Sequence, residues 1–344
     1  MLASRYAIDP INELVATPLE YYTFFDANMA ARTRYRPGTE ATVEQLPLSV
    51  AYLATADVLN EAWEWLCKRR RNYPPSADIW WLRQHWASEK QILIQLLSSE
   101  EYQFEPLQQV TNSDGEIIEL WSARDALVLK ALTLVLRDAF RLSDRCTHLK
   151  GNGGSKHAVR QLQTALPEYR FVFRTDVKSF YASIDHLTVY EQLCERITDK
   201  GIRRLLWQYL RRTVEHGGLF RDVEKGISLG CPLSPLIGAI CLMPVDELLT
   251  DDNLFYVRFM DDWVVLAKTR RHLRRAVKQT NQLLSTLKLE KHPDKTFIGL
   301  IEKGFDFLGY HFSRNGLQMA HTTLTNFYRK AARLAVTARR IDFG

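Results

Sequence analysis

Two adjacent carboxylates, Asp261 and Asp262, are placed where they can do chemistry. They lie between two short runs rich in aromatic and β-branched residues, 255–260 and 263–267, a pattern that predicts a β-hairpin with the acids at its turn. Because neighbouring carboxylates repel, an apolar hairpin has no folding reason to hold both, and oxygen-only ligation indicates Mg2+ or Mn2+. A solvated Asp-Asp turn is the alternative, since acids are common turn residues.

A third carboxylate strengthens the metal-site interpretation. The alternating stretch 171–176 predicts a strand that ends in Asp176. If this strand pairs beside the hairpin, three carboxylates converge at the edge of one sheet and can hold two metal ions. Two ions placed there suit in-line phosphoryl or nucleotidyl transfer, because one activates the attacking oxygen and the other stabilises the leaving group.

The elements that must position these acids follow from periodicity and turn signals. Upstream, the sequence predicts helices within 50–97, a hairpin across 104–121 with its turn at 112–115, a helix from 122 to about 142 and a glycine-rich loop at 149–157. Downstream, it predicts helices within 187–215, a Gly/Pro-rich segment at 226–235, an apolar helix over 236–249, a basic helix from about 271 to 287 and a helix over 322–340.

Composition limits the class of protein. A chain of 344 residues with 46% hydrophobic and 25% charged residues is long enough for two or three globular domains. We expect no membrane span and no secretion signal, and the five cysteines have no metal-ligand spacing, so a reduced, cytoplasmic protein is expected. The net charge of +6 and separate basic clusters suit a polyanionic partner.

Several motifs occur in the order and spacing of one known family. They resemble the palm of bacterial reverse transcriptases, in particular the group II intron-like enzymes and their unclassified, often defence-associated relatives, over roughly residues 50 to 315. The residues that carry the resemblance are Asp176 with Tyr181, the segment Gly226 to Pro235, Phe259 to Asp262, Lys295 with Thr296, and Phe307 to Tyr310.

The resemblance implies an α+β fold, that of a right-hand polymerase with an antiparallel palm sheet. On this basis residues 1–46 are expected to form a helical N-terminal extension, 47–170 the fingers, 171–312 the palm and 313–344 a short basic thumb-like helix. Since a thumb normally holds the duplex, we expect a bound RNA, self-association into a homo-oligomer, an accessory protein or the N-terminal extension to substitute for the missing part.

The resemblance also assigns catalytic roles. Asp176 and Asp261 are expected to bind two Mg2+ ions, with Mn2+ as an alternative, supported by Asp262 and by the Val177 carbonyl as a further ligand. Lys295 matches a lysine proposed to protonate the pyrophosphate leaving group. A surface lysine in a turn is the alternative for that position.

Tyr181 is expected to lie under the sugar of the incoming nucleotide, where its bulk excludes a 2′-hydroxyl and selects dNTPs. The alternative is a core aromatic beside Phe180. Leu229 and Gly230 belong to the element implied to lie beneath the templating base pair, and Leu229 stands where many relatives have glutamine. That departure puts fidelity, template choice or priming in question and leaves the carboxylates unaffected.

Four basic residues are candidates to bind the nucleotide. Lys150 and Lys156 flank the glycines of the loop at 149–157, whose backbone N–H groups suit a triphosphate, and Arg160 follows one turn later. Arg174 projects from the strand that ends in Asp176. A flexible connector is the alternative for the glycine-rich loop.

The expected activity is that of an RNA-directed DNA polymerase that adds dNTPs to a primer 3′-hydroxyl. A dedicated noncoding RNA template, a DNA product and a role in antiviral defence are expected with it. Template-independent nucleotide addition by the same carboxylates is an alternative, and so is a non-catalytic RNA-binding maturase or scaffold. The clustered carboxylates argue against a scaffold, because it has no need to maintain costly like charge.

Overall fold

A computed structural model of the chain describes residues 48–111, 117–137, 139–140 and 142–341. The N-terminal extension expected at 1–46 and the turn predicted at 112–115 lie outside the described residues. In this part of the chain, no helix combines the length and apolar character needed to cross a bilayer.

The chain alternates helices and strands, and the fold is α+β as expected. The strands are β1 (Leu107–Thr111), β2 (Ile117–Leu120), β3 (Phe171–Asp176), β4 (Thr213–His216), β5 (Leu219–Asp222), β6 (Leu254–Phe259), β7 (Asp262–Ala267), β8 (Phe297–Leu300), β9 (Phe305–Phe307), β10 (Tyr310–Ser313) and β11 (Gly316–Met319). The helices are α1 (Val50–Leu53), α2 (Ala56–Arg69), α3 (Asp78–Ser98), α4 (Ala123–Arg137), α5 (Gly154–Ala165), α6 (Phe180–Ser183), α7 (His186–Cys194), α8 (Lys200–Leu210), α9 (Ser234–Cys241), α10 (Met243–Leu249), α11 (Arg270–Thr286) and α12 (His321–Ile341).

One compact unit contains the described residues up to Leu142 together with Ser179–Met243 and Leu287–Leu289. Its sheet has the order β2-β1-β4-β5, in which β1 and β4 run parallel and the other pairs antiparallel. The hairpin predicted across 104–121 is confirmed, since β1 and β2 pair with Thr111 opposite Ile117. Helix α4 packs against α2 and α3 through a face that is almost wholly buried.

The second unit contains Ser143–Lys178, Pro244–Thr286 and Glu290 onward. Its main sheet is antiparallel with the order β6-β7-β3-β8, beside a three-stranded sheet β11-β10-β9. The predicted pairing of the 171–176 strand beside the hairpin is confirmed. Helix α5 packs on β6, whereas α11 packs on β7 and β3. Burial on the α5 side forms an apolar core that includes Leu162, Val172, Val257, Val264, Leu266 and Phe307.

The helix predicted over 236–249 is interrupted. The structure has two helices, α9 and α10, separated at Leu242. Pro244 explains the break, because proline has no N–H to continue the hydrogen-bond ladder but is well accommodated in a first helical turn.

The close packing of the backbone around Gly226 can be tested by substitution. Its φ is +86°, and an added Cβ would lie 2.8 Å from the Tyr181 carbonyl oxygen and 2.9 Å from Ala182 Cα. Gly230 provides the matched control, since its φ is +74° but an added Cβ meets no atom within 4 Å. Both alanine variants incur about 1–2 kcal/mol of left-handed strain, and we expect Gly226→Ala to lose a further ~1–3 kcal/mol through overpacking.

Urea denaturation of the two variants measures the difference in their free energies of unfolding. Equal losses in Gly226→Ala and Gly230→Ala would show that the close approach has no energetic consequence.

Candidate active site

The Asp261 carboxylate stands on a two-residue turn. Strand β6 ends at Phe259, which pairs with Asp262, so Met260 and Asp261 form the connection. The sequence predicted both acids at the turn, whereas Asp262 is the first residue of β7. Met260 adopts φ +56°, and the Asp261 carbonyl accepts a hydrogen bond of 3.3 Å from the Val177 N–H.

Asp176 ends β3 directly opposite Asp262. Side chains of residues that face each other across an antiparallel pair lie side by side, so this register brings the two carboxylates together. The Asp176 side chain is 10% exposed. The register of β3 and β7 therefore explains why Asp176 lies beside the acidic hairpin, as predicted.

Arg174 holds Asp262 in a bidentate ion pair. Its Nε donates to Asp262 Oδ1 at 3.1 Å and its Nη2 to Oδ2 at 2.9 Å, while its Nη1 donates to the Lys295 carbonyl at 2.7 Å. The two side chains are only 15% and 16% exposed, which strengthens the attraction relative to a surface pair. Sequence reasoning assigned Arg174 to nucleotide binding, which stays a prediction; in the structure the guanidinium fixes Asp262.

Lys295 lies beside the Asp176 carboxylate. Its Nζ is 2.9 Å from Asp176 Oδ2. The short turn that carries Lys295 is bonded to β3, because the His292 N–H donates to the Asp176 carbonyl at 2.7 Å and the hydroxyls of Thr175 and Thr296 are 2.7 Å apart. Lys295 and Asp176, both predicted from the sequence as catalytic residues, are therefore in contact.

The site carries excess negative charge. Burial, together with the neighbouring Asp176 and Asp262 carboxylates, raises the pKa of Asp261 to about 7 despite the opposing effect of Lys295. Burial also raises the pKa of Asp262 to about 6, although Arg174 lowers it. In both cases burial is the largest cause, so the charged form is disfavoured even with Arg174 and Lys295 nearby.

Asp176 and Asp261 are the carboxylates expected from the sequence to bind a divalent cation. Carboxylate oxygens are preferred ligands of Mg2+ and Mn2+, and a cation offsets both the burial and the carboxylate repulsion that raise the pKa of Asp261. No group of three or more His, Cys, Asp or Glu side chains within the described ranges is arranged to hold a metal ion, and Asp262 is bonded to Arg174. Metal ligation by Asp176, Asp261, Asp262 and the Val177 carbonyl stays a prediction.

The candidate phosphate-binding residues lie in the same unit as the carboxylates. Lys150 is exposed in the loop before α5, and Lys156 and Arg160 are exposed one turn apart on that helix. The helix begins after Gly153, whose φ is +83°. A Cβ added to Gly153 would lie 2.6 Å from the His157 side chain, so no larger residue fits there. Lys150 and Lys156 at a glycine-rich helix N-terminus suit an anion. The nucleotide role of these two residues and of Arg160 stays a prediction.

Tyr181 belongs to the other unit, on α6, and is half-buried. Its carbonyl accepts the Ile227 N–H at 2.7 Å, and a Cβ added to Gly238 would lie 3.4 Å from its ring. Within this unit the structure therefore connects Tyr181 to the Gly226–Pro235 motif, which sequence reasoning treated separately. In that motif Leu229 is 74% exposed and Gly230 has a positive φ.

Sequence reasoning missed a buried ion pair. Asp246 and Arg258 are 1% and 0% exposed, and Arg258 Nε donates to Asp246 Oδ1 at 2.7 Å. The signal was clearest at Arg258, the single charged residue of the otherwise apolar strand β6, where an unpaired charge is very costly. It also missed His148, whose Nδ1 accepts the Met260 N–H at 3.1 Å.

The raised pKa of Asp261 predicts a pH dependence of the metal-free protein. The stability that Asp261 contributes is fully present below about pH 4 and is lost as pH rises through about 7, because the folded state favours the protonated carboxyl. We expect the free energy of unfolding of the wild type to fall relative to Asp261→Asn across that window, by at most about 1.4 kcal/mol per pH unit.

Urea denaturation in EDTA at several pH values measures this difference. The exposed Asp252 gives a control, because Asp252→Asn removes an acid elsewhere in the same unit. Parallel pH profiles for the wild type and Asp261→Asn would contradict the prediction.

Comparisons with known proteins place this geometry in context. The chain is 26% identical over 280 residues to Protein YkfC of Escherichia coli, covering 68% of this chain and 73% of that protein. It is 22% identical over 213 residues to a putative COX1/OXI3 intron 1 protein of Saccharomyces cerevisiae, covering 59% of this chain and 25% of that protein.

Among solved structures, a chain of a partial Cas6-RT-Cas1--Cas2 complex is similar with a TM-score of 0.42 and 18% identity. The match covers 69% of this chain and 41% of that chain. A Cas6-RT-Cas1--Cas2 complex matches with the same TM-score and identity, and 26% of its chain is covered.

The family described as reverse transcriptase (RNA-dependent DNA polymerase) matches residues 124–312. This span contains the three carboxylates, Tyr181 and Lys295, and it exceeds half of the 344 residues. The chain belongs to the reverse transcriptase family, whose members are RNA-directed DNA polymerases that use divalent metal ions.

Proposed function

We propose that this protein extends a primer 3′-hydroxyl with dNTPs on an RNA template by two-metal nucleotidyl transfer. The observation that carries the proposal is the placement of Asp176 and Asp261 at one edge of the β6-β7-β3-β8 sheet with the Lys295 Nζ 2.9 Å from Asp176. When bound, divalent ions supply activation of the attacking oxygen and stabilisation of the leaving group. The rest of the chemistry is positioning, which this chain's residues supply.

Each residue of the site has a proposed task. Asp176 and Asp261 hold the ions, and Arg174 keeps Asp262 in place through its bidentate pair, so that Asp262 supports the other two from the adjacent strand position. Lys295 keeps a proton at Nζ close to the carboxylates, where it can be donated to the departing pyrophosphate. Family membership supports this division of roles.

The nucleotide and nucleic-acid contacts are proposed on chemistry. Lys150, Lys156 and Arg160 bind the triphosphate, and Tyr181 excludes the 2′-hydroxyl. Helix α12 binds the primer-template duplex, because it exposes 63% of Phe327 and 67% of Tyr328 next to the cations Arg329 and Lys330. A net charge of +6 supports a polyanionic partner.

We propose that the template is a dedicated noncoding RNA, that the protein acts in the bacterial cytoplasm, and that its role lies in antiviral defence. These assignments rest on the resemblance of its motifs to defence-associated relatives. A homo-oligomer or an accessory protein is proposed as a further partner.

Asp261 gives the decisive test. We expect protein purified from its native host to carry one enriched RNA together with complementary DNA, and we expect the DNA to disappear in Asp261→Ala because a carboxylate that holds the metal is lost. The measurement is sequencing of the bound nucleic acid before and after RNase or DNase. Asp252→Ala, which removes an exposed acid in the same unit, is the control and should retain the DNA.

The other outcomes would contradict the proposal in distinct ways. DNA without a complement in any bound RNA indicates untemplated addition. RNA with no DNA in either the wild type or the variant indicates a scaffold.

Tyr181 gives a test of substrate choice. We expect Tyr181→Val to raise the ratio of ribonucleotide to deoxyribonucleotide incorporation, compared as kcat/KM, by about tenfold or more, because a steric exclusion of one hydroxyl is removed. Tyr190→Val removes a half-buried aromatic from the same unit and serves as the control. An unchanged ratio in Tyr181→Val would remove the assignment.

A further inference from the structure

The backbone of Met260 is held in an unusual conformation immediately before Asp261. Its φ of +56° lies in the left-handed region, which favours glycine at the first position of a two-residue hairpin turn. Non-glycine residues keep such a conformation only where their surroundings enforce it. The direction of the Asp261 side chain depends on that enforcement, because the preceding peptide sets where its Cα–Cβ bond points.

Both polar backbone groups of Met260 are bonded by side chains outside the turn. The N–H donates to His148 Nδ1 at 3.1 Å, and the carbonyl accepts from Arg258 Nη1 at 2.8 Å. The bond to Nδ1 requires that this nitrogen carries no proton, which places the ring proton of the neutral imidazole on Nε2. His148 therefore contacts the turn through one defined atom, Nδ1.

His148 is itself fixed by a segment that pairs with β6. The Arg258 N–H donates to the Arg145 carbonyl at 2.9 Å, and the Thr147 N–H donates to the Arg258 carbonyl at 2.8 Å. The His148 ring packs edge-on against Phe259 with ring centres 5.9 Å apart. These contacts determine the position of the imidazole relative to the end of β6.

Arg258 is fixed from the other side. Its guanidinium is fully buried with Asp246, whose Oδ1 also accepts the Tyr256 hydroxyl at 2.7 Å. A buried ion pair of this kind is weak evidence for added stability but holds its members in one geometry. The carbonyl of Met260 thus meets a donor with little freedom to move.

We propose that His148 is a positioning residue for the reaction, which holds the Met260 peptide through Nδ1 and so aims the Asp261 carboxylate at the metal. The inference rests on the proposed function and deepens it. His148 contacts neither substrate nor metal in this proposal. It acts through one hydrogen bond to the peptide that precedes the carboxylate.

Three substitutions at His148 separate this role from simple packing. His148→Leu removes the acceptor at similar bulk. His148→Asn keeps an acceptor, since its Oδ1 occupies the place of Nδ1, whereas the acceptor of His148→Gln lies one bond further out. His85→Leu is the matched control, because His85 is exposed on α3 in the other unit.

The full-length variants are compared in three measurements. Mn2+ affinity is measured by electron paramagnetic resonance on nucleic-acid-free protein. The kcat and the KM for dNTP are measured on a primer-template, and the melting temperature is measured by calorimetry. We expect His148→Leu and His148→Gln to bind Mn2+ about tenfold more weakly and to lose about tenfold in kcat with little change in KM, because a misaimed carboxylate weakens positioning. We expect His148→Asn to stay within about threefold of the wild type and His85→Leu to match it.

The proposal is overturned if folded His148→Leu keeps wild-type Mn2+ affinity and kcat and loses only melting temperature, or if His148→Asn is as impaired as His148→Leu. If His148→Leu does not fold, the contrast between Asn and Gln decides, and equal behaviour of these two overturns it. If the wild type binds Mn2+ but makes no DNA, only the proposed function is contradicted. The difference in Mn2+ affinity among the variants then still decides the role of His148.

Discussion

Repulsion among three carboxylates at one sheet edge is the constraint on which the site depends. Asp176 and Asp262 face each other across β3 and β7, and Asp261 precedes Asp262 by one residue. Partial burial keeps the repulsion strong, because water cannot screen it fully. The surrounding elements therefore have to supply cations in fixed positions and a backbone stiff enough to resist separation.

The two cations divide that work between different carboxylates. Arg174 uses its planar fork on Asp262, whereas Lys295 presents a single ammonium to Asp176. A guanidinium pair of that geometry is hard to displace, while an ammonium on a flexible stem that is 49% exposed exchanges readily. A competing cation therefore displaces Lys295 from Asp176 more easily than it displaces Arg174 from Asp262.

Local pattern was enough to predict the strands that carry the acids, because alternation and β-branched runs are properties of neighbouring residues. The pairing of the Asp176 strand beside the hairpin, considered from the sequence, is also found through β7, whereas its second partner β8 was not predicted. Local pattern could not give the partner of Arg174, which lies 88 residues away, because that partner depends on long-range strand pairing. It also did not place Asp262 in the strand, because the length of the turn depends on the exact register of the β6–β7 hairpin, with Phe259 opposite Asp262. His148 was missed for the same reason, as its bond to Met260 spans 112 residues.

The wide sequence separation of the site's contacts also affects how the chain acquires activity during synthesis. The bond from Lys295 to Asp176 spans 119 residues, and β8 closes the free edge of β3 only after residue 297 has been made. Pairings of such high contact order form late, because their loop-closure entropy must be overcome before they add stability. A ribosome-bound chain that ends before residue 295 has the carboxylates without Lys295 and without the fourth strand, β8. Competence for polymerisation therefore belongs to the finished sheet, and incomplete translation products are expected to be inert.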